Sequence, residues 1–150
     1  MLLRAPSTWE DPRMKSFARI VALLLAAAVA GCQFLPWVGE LAAVDIPWRS
    51  ILSPGTVTAD GWIASLGLPL TVVASIAALG ALANSRAMIV IGGLLAVAVP
   101  MAWIIINALD STGGVPLSAI RYGAYAAALC GFLLLMLAAV AADARKQTVR

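Results

Sequence analysis

The chain has 150 residues, of which 63% are apolar and only 11% are charged, with a mean hydropathy of +0.99. Such a composition excludes an ordinary water-soluble domain, because so short a chain cannot bury this much apolar surface in its own interior. The net charge of +3 comes from short basic clusters beside apolar runs, not from one basic stripe, which argues against a nucleic-acid-binding protein.

Four apolar runs predict four transmembrane helices, because about 20 helical residues cross the roughly 30 Å of hydrocarbon in a bilayer. We place them at residues 17–37, 62–83, 87–108 and 122–142. Only Asn84, Ser85 and Arg86 separate the second run from the third, so these two helices must be antiparallel neighbours. The sequence therefore predicts an all-α polytopic membrane protein, an antiparallel four-helix bundle in which residues 1–150 form a single membrane domain.

The basic residues indicate the orientation of these helices. With the N-terminus inside, two of the ten Lys and Arg residues, Arg49 and Arg121, lie on the outer side. The other eight lie on the inner side: Arg4, Arg13, Lys15, Arg19, Arg86, Arg145, Lys146 and Arg150. The positive-inside rule thus predicts that both termini are cytoplasmic. Aromatic residues near the outer ends of the runs predict an interfacial belt of Trp37, Trp48, Trp62, Trp103 and Tyr122.

The first outer loop, residues 38–61, is the longest connection. Asp45 as an N-cap and Pro47 in a first turn predict a short helix on the outer interface, with Trp48, Ile51 and Leu52 as its apolar residues. The alternative is an irregular loop anchored by Trp48.

A second interpretation competes for the first apolar run. The residues VAGC at 29–32, after a basic and then apolar stretch from Met14, resemble the lipobox of a bacterial lipoprotein, in which Cys32 would be lipidated. An apolar continuation, QFLPW, follows Cys32 where lipoproteins usually have a polar tether. That continuation favours an uncleaved helix.

Few residues offer chemistry. The chain has no His, and no charged residue lies deep within a predicted span. Asp110 and Arg121 could form an ion pair at the outer surface. Cys32 and Cys130 do not form a CxxC motif, and their predicted depths differ, which argues against a disulfide. The sequence therefore predicts neither an enzyme nor a cofactor, metal or nucleotide site.

Other residues within the runs bear on helix packing. Pro69 and Pro100 are each expected to bend a helix, and Asn107 needs a hydrogen-bonding partner on another helix or on a lipid headgroup. Small residues four apart on the fourth run form a smooth face that lets another helix approach closely: Gly123, Ala127 and Gly131. The helix that packs there belongs either to this chain or to another subunit.

Three function classes remain. An accessory or scaffold subunit of a larger membrane complex requires packing surfaces and no reactive group. A small transporter or channel requires a polar pathway, which this chain could supply only as an oligomer or for an apolar substrate. A lipid-modifying enzyme requires a base or nucleophile at the membrane edge, and the outer carboxylates show no recognisable spacing.

The run GCQFLPW at residues 31–37, the Ala, Val, Leu and Gly-rich composition and the short loops resemble small actinobacterial membrane proteins, particularly mycobacterial ones. Among such proteins are accessory subunits of Mce-type lipid importers. The resemblance implies a subunit of the bacterial inner membrane, packed against permease helices, that aids assembly or regulation of lipid import. Its partners would be the bilayer and other membrane subunits, with ATP hydrolysed elsewhere. An accessory subunit of a respiratory supercomplex has the same sequence requirements.

Overall fold

The computed structural model describes residues 12–52, 58–109 and 115–148, and this part of the chain is mostly helical. Its α-helices are α1 at Pro12–Gly31, α2 at Gly67–Leu82, α3 at Arg86–Leu109 and α4 at Tyr122–Thr148. Each helix packs against the next along the chain, and α4 also packs against α1. Between α1 and α2 lie a two-stranded antiparallel hairpin, β1 at Pro36–Val38 and β2 at Leu41–Ala42, and several 3-10 turns.

Three segments are long and apolar enough to cross a membrane: Met14–Phe34, Arg86–Leu109 and Tyr122–Val140. The helix α2 is apolar but has only 16 residues, about 24 Å at 1.5 Å per residue. The predicted second span, residues 62–83, therefore begins five residues too early as an α-helix. Pro69 lies in the first turn of α2, where a missing N–H is tolerated, so it starts this helix and does not bend its middle.

The first helix also ends earlier than predicted. It stops at Gly31, is followed by a 3-10 turn at Cys32–Phe34, and becomes extended at Leu35, where φ is −81° and ψ is 152°. Pro36 explains this boundary, because a proline disfavours the helical conformation of the residue before it. The chain therefore leaves the helix six residues before Trp37.

The predicted tight connection between the second and third helices is confirmed. The backbone N–H of Ser85 donates to the carbonyl of Gly80 at 2.8 Å, and Asn84 takes the left-handed conformation with φ of 53°. Beyond the turn, Gly80 faces Met88 and Ile89, and Gly92 faces Ala77. These contacts follow opposite orders along the two helices, so α2 and α3 are antiparallel.

The same reversed order of contacts relates the other neighbouring helices. On α3 and α4, Gly93 approaches Leu135, and Gly131 approaches Ala96. Between α1 and α2, the Arg19 guanidinium donates to the carbonyl of Leu82, the last residue of α2, whereas Gln33, just after α1, bonds to Thr71 near the start of α2. We call the end of the molecule that holds Arg19 and Asn84 the turn end, and the opposite end, which holds the β-hairpin, the cap end.

Candidate functional site

The most elaborate part of the structure is the connection between α1 and α2, residues 32–52 and 58–66, which we call the cap. The predicted interfacial helix within it is shorter than expected. Asp45 ends a 3-10 turn at Ala43–Asp45, and Pro47 precedes a second such turn at Trp48–Ile51. The carboxylate of Asp45 accepts the backbone N–H of Ala42 at 3.3 Å, so Asp45 caps the earlier turn.

The cap folds back onto the helices. The backbone N–H of Gly39 donates to the carbonyl of Ala119, and that of Arg121 donates to the carbonyl of Trp37. These bonds join β1 to the segment that leads into α4. The cap is also closed on itself, because the N–H of Leu66 donates to the carbonyl of Ile46 at 2.7 Å.

Two tryptophans form the centre of the cap end. Trp37 is 0% exposed and Trp103 is 1% exposed, and their rings meet edge to face with centroids 5.7 Å apart. The indole N–H of Trp37 donates to the carbonyl of Cys32 at 2.9 Å. The predicted aromatic belt is therefore wrong for these two residues, which are core residues. Trp48, Trp62 and Tyr122 are exposed, as residues of such a belt must be.

A buried hydrogen-bonding group, the Ser50 cluster of Ser50, Trp103 and Asn107, fastens the cap to α3. The hydroxyl of Ser50 accepts the indole N–H of Trp103 at 3.0 Å and donates to the carbonyl of Pro47 at 2.7 Å. The Nδ2 of Asn107 donates to the carbonyls of Ser50 and Trp103 at 3.2 and 2.9 Å. Asn107 thus has the hydrogen-bond partner that the sequence predicts it to need, but this partner is the backbone of the cap and not another helix or a lipid headgroup.

A second group, the Gln33 cluster of Gln33, Trp62 and Thr71, fastens the two ends of the cap to α2. The Oε1 of Gln33 accepts the indole N–H of Trp62 at 3.2 Å and the hydroxyl of Thr71 at 3.3 Å. Gly67 makes room for this arrangement, because a Cβ there would lie 2.8 Å from the Gln33 Oε1. Beside it, the hydroxyl of Ser65 accepts the N–H of Gly67 at 3.1 Å, where α2 begins.

Both clusters consist of neutral amide, hydroxyl and indole groups. They can hold a backbone in place, but none of them titrates near neutral pH and none is an activated nucleophile. Among the described residues, no group of three or more His, Cys, Asp or Glu side chains is arranged to bind a metal ion. The Ser50 and Gln33 clusters therefore serve to hold the cap in position against α2 and α3.

The small-residue face predicted on the fourth helix is used inside the chain. Gly123, Ala127 and Gly131 are all buried. A Cβ on Gly123 would lie 2.6 Å from Cδ1 of Trp37, and a Cβ on Gly131 would lie 2.8 Å from Cβ of Ala96. Of the two alternatives for this face, the structure shows packing against the chain's own cap and third helix.

The remaining predicted residues lie apart from the clusters. Arg121 is exposed at the cap end, and its predicted partner Asp110 lies outside the described residues, as do Arg4 and Arg150. Cys32 and Cys130 are both free; Cys32 is buried in the turn after α1, and Cys130 is half-buried on α4.

Sequence reasoning missed Gln33 and Ser50. Gln33 carried one signal, since it is a lone amide directly after a long apolar run and so needs a partner if that run is buried. Ser50 carried none, because a single serine in a loop is ordinarily solvated. No known protein family, curated protein or solved structure matches this chain.

Proposed function

We propose that this chain is a non-catalytic accessory subunit of a larger complex in a bacterial inner membrane. All four helices span the bilayer, and both termini are cytoplasmic. Following the resemblance of its sequence, we take an Mce-type lipid importer as the complex, with this subunit aiding assembly or regulation. A respiratory supercomplex is the runner-up of the same class.

The membrane placement of α2 rests on what precedes it. The helix alone falls short of the roughly 30 Å of hydrocarbon. At its cap end, however, the 3-10 turn at Trp62–Ala64 adds apolar length, and Ile63 there is 74% exposed. Trp62, with an indole N–H in the Gln33 cluster and a partly exposed ring, suits the boundary between hydrocarbon and headgroups.

The basic residues support the proposed orientation. Lys15, Arg19 and Arg86 are exposed at the turn end, where the positive-inside rule expects the cytoplasm. Arg49 and Arg121 are exposed at the cap end together with Glu40, Asp45 and Asp60. The cap then faces the outer side.

One observation carries the non-catalytic role: the buried polar side chains of the cap end are engaged in fixing the cap. Ser50, Asn107, Gln33 and Ser65 all bond to backbone or to other neutral side chains of this chain. A transporter or enzyme would instead direct such groups at a substrate. A rigid, shaped outer surface is what a scaffold subunit offers to its neighbours.

Affinity purification tests this proposal directly. The tagged full-length protein is extracted from its native membrane in mild detergent and the recovered proteins are identified by mass spectrometry, with an untagged strain as control. We expect stoichiometric recovery of a permease and its ATPase. Recovery of a respiratory complex would retain the accessory role and change the system. Recovery of this protein alone, as monomer or homo-oligomer, would refute the accessory role and favour a small oligomeric transporter or channel.

A further inference from the structure

The Gln33 cluster uses only one end of a buried amide. Gln33 lies in the turn that follows α1 and is 7% exposed. Its Oε1 accepts the indole N–H of Trp62 and the hydroxyl of Thr71. An indole N–H can only donate, so this atom is the oxygen and the other terminal atom of the amide is the NH2 group. Among the residues that the structure describes, the Nε2 of Gln33 has no acceptor.

This amide cannot turn over to find an acceptor. Turning it would place the NH2 group against the indole N–H of Trp62, which needs an oxygen. Gly67 packs closely on the same group, because an added Cβ there would lie 2.8 Å from the Gln33 Oε1. A buried donor without a partner is costly, and hydrocarbon contains no water that could supply one. The acceptor therefore has to come from outside the described part of the chain.

The surface beside the amide is apolar and exposed. Phe34, the next residue in the chain, is 68% exposed. On the other side of the hydrogen bond, Trp62 is 43% exposed and Ile63 is 74% exposed. In the proposed membrane placement, Trp62 lies at the boundary between hydrocarbon and headgroups, where the ester carbonyls of phospholipids also lie. An acceptor oxygen joined to apolar chains is the ligand that suits this surface.

From this combination we propose that Gln33 binds a lipid: its Nε2 donates to an ester carbonyl of a diacyl phospholipid in the leaflet at the cap end, and the acyl chains of that lipid pack on Phe34 and Ile63. The Oε1 of Gln33 continues to fix the cap, so the lipid is held in one place and is not a transported substrate. The inference rests on the proposed membrane placement and not on the identity of the complex. It can fail while the accessory role stands.

The test compares a diester with a diether phosphatidylcholine of the same chain length, because the diether has the same headgroup and no carbonyl. Purified full-length protein in detergent is titrated with each lipid, and the first bound lipid is measured by native mass spectrometry. We expect wild type to bind the diester about fivefold more tightly, which is the effect of one ordinary hydrogen bond. Equal affinity for the two lipids would overturn the proposal and assign the Nε2 to a water molecule.

Two variants of the cluster identify the donor. Gln33→Met has a similar length and a sulfur that accepts weakly from Trp62, but it has no donor, so its affinities for the two lipids should be equal. The matched control is Thr71→Val, which removes a hydroxyl from the same cluster and retains the Nε2, so the fivefold preference should remain. A preference that survives in Gln33→Met would also overturn the proposal. The wild-type comparison is independent of how either variant folds.

Discussion

At the scale of single residues, the structure of the cap end depends on buried polar groups that each have only one or two hydrogen-bond partners. Ser50 is 4% exposed, and its hydroxyl both donates and accepts. A buried polar group that loses its partner keeps the full cost of its removal from water. The indole N–H of Trp103 would be in that position without the Ser50 hydroxyl.

We therefore expect Ser50→Ala to lower the free energy of unfolding by about 1–3 kcal/mol, measured as a lower melting temperature in detergent. The matched control is Ser75→Ala, because the exposed Ser75 hydroxyl donates only to the Thr71 carbonyl of its own helix. Equal melting temperatures for the two variants would show that the Ser50 cluster does not stabilise the cap.

The residue scale is also where the sequence was least informative. Trp37 and Trp103 looked like members of an interfacial belt, because a tryptophan beside an apolar run suits both a membrane boundary and a buried core. Only the folding of the cap over α3 and α4 separates the two cases. Asn107 was different: a lone amide in a span demands a partner wherever the fold places it.

At the scale of elements, glycines set how closely the helices and the cap approach one another. Gly123 admits the Trp37 ring and the Pro36 carbonyl, each of which would lie within 2.7 Å of an added Cβ. Gly31, by contrast, is exposed, helical with φ of −66° and ψ of −31°, and has nothing within 4 Å of such a Cβ. The chain thus offers two glycines with opposite surroundings.

Gly123→Ala should force the cap away from α4 and destabilise the protein by about 1–3 kcal/mol, as overpacking of a well-filled core typically does. Gly31→Ala should be neutral or slightly stabilising, since alanine is the better helix former. Thermal unfolding of both variants in the same detergent is the measurement. If Gly123→Ala unfolds at the wild-type temperature, the cap does not pack on α4 as described.

The sequence predicts where the four helices lie better than it predicts the residues at which they begin and end. Apolar length located all four helices, and the three-residue connection fixed the pairing of α2 with α3. The predicted end of α1 and the predicted start of α2 are wrong because Pro36 and Pro69 both lie within continuous apolar runs, and apolar length alone does not show where a helix begins or ends. In the structure, Pro36 follows the end of α1, and Pro69 marks the start of α2.

At the scale of the whole molecule, the two ends of the bundle differ in build. The turn end is simple, with the compact turn at Asn84 and the bond from Arg19 to the end of α2. The cap end carries the hairpin, the 3-10 turns and both polar clusters. The proposed orientation places this more elaborate end outside the cell membrane.

Cysteine labelling on a background of Cys32→Ser and Cys130→Ser checks that orientation. A reporter at the exposed cap-end position, Ser118→Cys, should react with a membrane-impermeant maleimide on intact cells. A reporter at the exposed turn-end position, Ala83→Cys, should react only after the cells are permeabilised. The reverse pattern of labelling would invert the proposed topology.

The cap also has a consequence for biogenesis. The cap emerges from the ribosome before α3 and α4. Ser50, however, bonds to Trp103 and Asn107, which follow it in the sequence by 53 and 57 residues respectively. Trp37 likewise packs against Trp103 and Gly123, which are translated after it. In the proposed topology, the hairpin of α1 and α2 is therefore inserted while the segment that connects these helices is still incompletely folded. That segment reaches its final structure only when α3 and α4 arrive, so the helices translated last complete a part of the protein that was translated before them.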